Sequence, residues 1–174
     1  SCEIPNQQTL QSTKKALTAI AINDCFDSKK LFISKLSQYC PDELIDALSD
    51  FLIEKDISPF PYLHSFLRNL ALTESEPGPV IAGMAMMSLA SQPDDIPILE
   101  TLGLHGQFTP YAILGLRNIL DDPLPIFWNL IQKTTGMARV ALANELSGWS
   151  EKTNDWLLRQ GYLSLSDDTL YHYY

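Results

Sequence analysis

Three histidines, His64, His105 and His172, are the residues of this chain best suited to ligate a metal or move a proton near neutral pH. None is followed at i+3 or i+4 by a second histidine or an acid, the spacing that brings two ligands to one helix face. His64 sits in an apolar helical stretch and reads as a core or boundary residue. His105 precedes Gly106 near a helix C-terminus, where a cation is mildly favoured. His172 falls in the terminal tail. No serine stands in G-x-S-x-G, no cysteine has a histidine nearby in sequence, and the glycines form no phosphate-cradling loop. The expectation is a chain that is not an enzyme and takes no metal or cofactor. The alternative is an enzyme with a site between helices, built from His64, His105 and nearby acids.

The acid pairs Asp94-Asp95, Asp121-Asp122 and Asp167-Asp168 carry enough charge for a metal or acid/base site. All three pairs read as equivalent points of a repeat pattern, which identifies them first as N-terminal helix caps. Gly103, Gly106, Gly136 and Gly148 read as caps or turn residues.

Cys2, Cys25 and Cys40 make an odd count with no C-x-x-C. A bridge between Cys25 and Cys40 is incompatible with a helix over residues 28–39, which would separate them by about 18 Å, whereas bridged Cα atoms lie within about 7 Å. Free thiols fit a reducing compartment, so the expected location is cytoplasmic. Ser1-Cys2 also matches the end of a bacterial lipobox, and the alternative is a periplasmic lipoprotein anchored through Cys2. The longest apolar run, residues 80–90, falls well short of the roughly 20 residues of a spanning helix.

The elements that would position these residues are helices. Hydrophobic residues make up 45% of the 174, enough for a core without disorder. Apolar residues recur at helical spacing over residues 9–22, 28–39, 41–54 and 62–72, with Leu10, Leu17, Leu31, Phe32, Leu36, Leu44, Ile45, Leu48, Phe51 and Leu52 facing inward. Asp27 or Ser28 is the expected cap of the second helix. Residues 73–79, Thr-Glu-Ser-Glu-Pro-Gly-Pro, are the strongest breaker and read as a hinge or a long loop.

Beyond that breaker the pattern repeats. Short helices rich in small residues fall at 80–90, 110–120 and 138–149. Aligning Ala82, Ala112 and Ala141 gives spacings of 30 and 29. Between them lie helices with larger apolar residues at 96–104, 124–132 and 156–162, the first two carrying Pro97 and Pro125 in the first turn. A hairpin of this size cannot bury its apolar face alone, whereas stacked hairpins share one core. Small residues such as Gly83, Ala112 and Ala143 admit a close neighbour. Ile98, Leu99, Leu102, Ile126, Phe127, Leu130, Trp156 and Leu157 are expected to fill between layers.

Ala138-Arg139-Val140-Ala141-Leu142-Ala143-Asn144-Glu145-Leu146 resembles the second helix of a HEAT repeat, in which a small residue and an Arg precede Ala-rich core positions and a Leu. The other two copies lack the Arg, and the period is shorter than is usual for HEAT repeats. The resemblance covers about residues 79–163. It implies an all-α fold, a right-handed α-α superhelix of stacked helical hairpins. The expected organisation is a single helical-repeat domain over 1–174, with irregular N-terminal helices at 9–72, clearer repeats at 79–163 and a C-terminal tail at 164–174.

With 21 acids against 12 lysines and arginines, a net charge of −9 disfavours nucleic acid, which needs clustered basic residues. Lys14-Lys15 and Lys29-Lys30 are the adjacent basic pairs and read as solvated helix faces. The expected partner is another protein, neutral or basic. The expected function is that of a non-catalytic protein-binding module using the concave face of a short α-solenoid, such as an immunity-type inhibitor or an adaptor. Tyr111, Arg117, Asn118, Arg139, Asn144 and Glu145 are the candidate contacts.

Overall fold

The computed structural model describes residues 4–39 and 41–161, and those residues form ten α-helices and no β-strand. The all-α class read from the sequence is the class observed. The chain divides into two compact units, with the boundary between Ser91 and Gln92.

The first unit holds α1 (Gln7–Asn23), α2 (Phe26–Gln38), α3 (Pro41–Lys55), α4 (Pro61–Thr73) and α5 (Pro77–Ser88). Asn6 caps α1, its side chain accepting a hydrogen bond from the Thr9 N–H at 2.8 Å. Asp24 closes α1 in the left-handed conformation, φ 53°, and pairs with Lys29. α2 begins earlier than its acidic residues suggest. Cys25 occupies the cap position, which places Asp27 in the first turn, where its charge suits the helix dipole. The inward face of α2 is also narrower than its periodicity implies: Phe32 and Leu36 are buried, but Leu31 is 40% exposed.

α5 is apolar on nearly every side and is buried from Pro79 to Ser88 apart from Ile81. Such a helix belongs in the middle of a core, and it packs against α2, α3 and α4. Its closest neighbour is α4. A Cβ at Gly83 would stand 2.7 Å from the Ala71 backbone nitrogen and 2.8 Å from the Leu67 carbonyl oxygen. Gly83 therefore admits the other arm of its own hairpin. The breaker between the two helices is a short connection rather than a hinge.

The second unit opens with a 3₁₀ turn (Pro93–Asp95) and holds α6 (Ile96–Leu102), α7 (Thr109–Ile119), α8 (Leu124–Ile131), α9 (Gly136–Leu146), α10 (Glu151–Trp156) and a widened π turn (Leu157–Gly161). Pro97 and Pro125 sit in the first turns of α6 and α8. The acids here act on backbone. An Asp95 carboxylate oxygen accepts the Gln92 N–H at 2.8 Å, and Asp122 Oδ1 accepts the Leu124 N–H at 3.2 Å. Asp167-Asp168 and the C-terminal tail lie outside the described residues. The last helix starts earlier than its apolar residues indicate. Ser150 caps it through the Thr153 N–H at 3.1 Å, and Glu151 is its first residue rather than part of a preceding turn.

α6 packs on α7, α8 on α9, and α7 on α9. Phe127, Leu99, Leu116, Ile131, Leu142 and Leu146 have almost no solvent contact. No helix among the described residues is long and apolar enough to cross a membrane.

Candidate interaction surface

Two helices of the second unit carry all the sequence-predicted contact residues, and local chemistry sets the position of each helix. α7 starts at Thr109, whose buried hydroxyl lies 3.0 Å from both the Gly103 and the His105 carbonyl oxygens. That contact holds the loop leaving α6 against the first turn of α7. A Cβ at Gly103 would meet Ala112 Cβ at 2.8 Å and the Leu99 carbonyl at 2.6 Å, so only glycine allows α6 and α7 this close. α9 starts at Gly136 with φ +56°, a backbone conformation that L side chains rarely adopt.

The two helices run parallel. Near their N-terminal ends a Cβ at Gly106 would lie 3.4 Å from Met137 Cβ and 3.5 Å from the Ala138 nitrogen. Towards their C-terminal ends Arg117 of α7 forms an ion pair with Glu145 of α9. The paired positions, Gly106 with Met137 and Arg117 with Glu145, are 31 and 28 residues apart in sequence.

Each helix buries one face and shows another. On α7, Ala112, Ile113, Gly115 and Leu116 are buried; Arg117 and Asn118 are exposed, Tyr111 is half-buried and Leu114 is 40% exposed. On α9, Ala138, Leu142, Ala143 and Leu146 are buried; Asn144 is exposed and Met137 is 49% exposed. Tyr111, Leu114 and Asn118 follow the i, i+3, i+7 spacing of one helix face, as do Met137 and Asn144. The surface mixes large apolar side chains with amides and one ion pair.

Arg117, Glu145 and Arg139 are engaged within the chain. Glu145 is mostly covered and holds Arg117. Arg139 turns towards the end of its own unit: its Nε donates to the Thr134 carbonyl at 2.9 Å, its guanidinium donates to the Gln160 carbonyl at 3.3 Å, and the group lies 5.7 Å from the Trp156 ring centre. Trp156 in turn meets Trp128 edge to face at 5.2 Å. Arg139 thus fastens α9 to α10 and the turn after it. Sequence reasoning missed Leu114 and Met137. Their signal was available: each is a large apolar residue one position away from the buried stripe of its helix.

The histidines do not build a site within either unit. His64 is buried in α4 of the first unit, His105 is exposed after α6 in the second, and His172 lies outside the described residues. Among the described residues, no group of three His, Cys, Asp or Glu side chains is placed to hold a metal ion. Cys25 is a free thiol, half-exposed, and the Ser28 hydroxyl and N–H beside it lower its pKa from the ordinary value; Cys2 and Cys40 lie outside the described residues. No family model, curated protein or solved structure matches this chain.

Proposed function

We propose that the chain is a non-catalytic protein-binding module and that the parallel α7–α9 face is its contact surface. The observation that carries this reading is the pair Leu114 and Met137, 40% and 49% exposed on adjacent helices and flanked by Arg117, Asn118 and Asn144. Interface centres combine exposed apolar side chains, Arg and satisfiable amides in this way. The parallel arrangement of α7 and α9 supports a short HEAT-like superhelix, in which equivalent helices line one concave face. The Arg117–Glu145 pair fixes the spacing of the two helices, so the surface is organised before a partner arrives. The role this suits is that of an inhibitor of the immunity type, or an adaptor, acting by occupancy.

Burial of Leu114 and Met137 at an interface is worth about 2–4 kcal/mol together. The test is co-purification from the native host with the tagged full chain and its Leu114→Asp/Met137→Asp variant, after circular dichroism shows equal helicity. A partner held by the wild type and lost by the variant supports the reading. A partner held equally by both chains, or no specific partner at all, removes it.

A further inference from the structure

The first two helices carry five lysines, Lys14, Lys15, Lys29, Lys30 and Lys35, in a chain of net charge −9. Among the described residues only Lys29 of these five is ion-paired with a carboxylate, that of Asp24. Four of them sit over aromatic rings instead: Lys14 over Phe51 at 5.4 Å, Lys29 over Phe66 at 5.7 Å, Lys30 over Phe26 at 4.7 Å and Lys35 over Tyr39 at 5.5 Å. A ring orients an ammonium without neutralising it, which leaves the charge able to meet an anion.

A cavity of about 430 Å³ in the first unit is a groove along α1 beside α3, lined by Gln11, Lys14, Lys15, Thr18, Ala19 and Phe51. The α1 residues follow i, i+3, i+4, i+7 and i+8 spacing, a continuous face about 12 Å long. Phe51, Ala19 and Thr18 give the groove a largely apolar lining, and Lys14, over the Phe51 ring, and Lys15 bring positive charge to it. Ile22, one turn beyond Thr18 and 56% exposed, extends the apolar stripe. Glu54 lies near this groove: Lys55 donates to its Oε1 at 2.7 Å, and the Lys14 charge adds to the lowering of its pKa.

We propose that this groove docks an acidic amphipathic segment of a partner protein, with apolar side chains on Phe51 and Ala19 and carboxylates on Lys14 and Lys15. Charge complementarity selects the occupant: two lysines that form no ion pair with a carboxylate among the described residues flank apolar surface, which calls for a segment with both properties. A nucleic acid would offer uniform negative charge to a strongly acidic chain and would leave the apolar lining uncovered. The site is built from first-unit residues alone, and it does not depend on the α7–α9 reading.

The experiment is selection of a random-peptide display library on the full chain, followed by affinity measurement on the wild type, on Lys14→Glu/Lys15→Glu and on Lys14→Gln/Lys15→Gln. Circular dichroism verifies that both variants are folded. Enriched peptides are expected to be net acidic, with apolar residues at i, i+3 or i+4, and i+7. Their affinity should fall about 30-fold or more on charge reversal, by a smaller factor on neutralisation, and further as salt is raised. Enrichment of neutral or basic peptides, no enrichment, or equal binding to the charge-reversed chain overturns the proposal. So does displacement of the peptides by a single-stranded oligonucleotide of matched charge at equal concentration.

Discussion

Replacing Gly83 with alanine sets two opposing effects of known size against each other. In an exposed helix interior, Gly→Ala stabilises by about 1 kcal/mol, because the unfolded chain loses freedom and the helix gains propensity. At Gly83 the added methyl would lie 2.7 Å from the Ala71 nitrogen, 2.8 Å from the Leu67 oxygen and 3.2 Å from Ala71 Cα. All three are backbone atoms of α4, so no side chain can rotate aside, and the helix must retreat by several tenths of an ångström. α5 is also held by α2 and α3, and its other buried faces resist the shift. Overpacking of this kind costs about 1–3 kcal/mol, and its upper part applies where only backbone can yield. The net expectation is a loss of about 1–2 kcal/mol, which lowers the melting temperature by about 4–8 °C per kcal/mol in a unit of this size. Urea denaturation followed by circular dichroism measures the loss, and hydrogen exchange should localise it to α4 and α5. If Gly83→Ala is as stable as the wild type or more so, the close α4–α5 approach is not the reason for glycine.

Further outcomes follow from single contacts. Thr109→Val removes the buried hydroxyl that binds the Gly103 and His105 carbonyls and should cost about 1–2 kcal/mol. All three tryptophans, Trp128, Trp149 and Trp156, lie in the second unit, so tryptophan fluorescence reads that loss; an unchanged transition would count against the contact. Arg139→Met keeps the aliphatic stem but loses the bonds to Thr134 and Gln160 and the charge over Trp156; residues 151–161 should exchange amide hydrogens faster, with about 1 kcal/mol less protection, and unchanged exchange there would dismiss the fastening role. The Cys25 pKa is lowered, with the Ser28 hydroxyl bond the largest cause, so the thiolate forms at lower pH than in a free cysteine. Alkylation of the Cys25 peptide, followed by mass spectrometry, should reach half-maximal rate below the pH seen for an unfolded control, and Ser28→Ala should move it back up; identical profiles would refute the assignment.

The sequence by itself determined the helices, because their signals are local. Leu17, Ile20, Leu44, Leu48 and Leu52 repeat at helical spacing and are buried, and prolines mark first turns wherever a missing N–H costs nothing. Acid pairs before helices read as caps, and Asp95 and Asp122 bind backbone N–H groups. The caps of α2 and α10, Cys25 and Ser150, lie a few residues before the starts that the residue pattern marks, because acidic residues suit both the cap and the first turn. What only the tertiary structure decided is which helices touch. The residue spacing suggested repeating copies, but it could not tell that Gly83 faces Ala71 across a hairpin, or that α5 belongs to the first unit. The candidate surface was half legible for the same reason. Arg117, Asn118 and Asn144 are exposed as their positions suggest, whereas Arg139 is drawn to Trp156 and Gln160 by residues far along the chain. Periodicity reports which face of a helix is apolar; it carries no information about which neighbour that face, or a long charged side chain beside it, will meet.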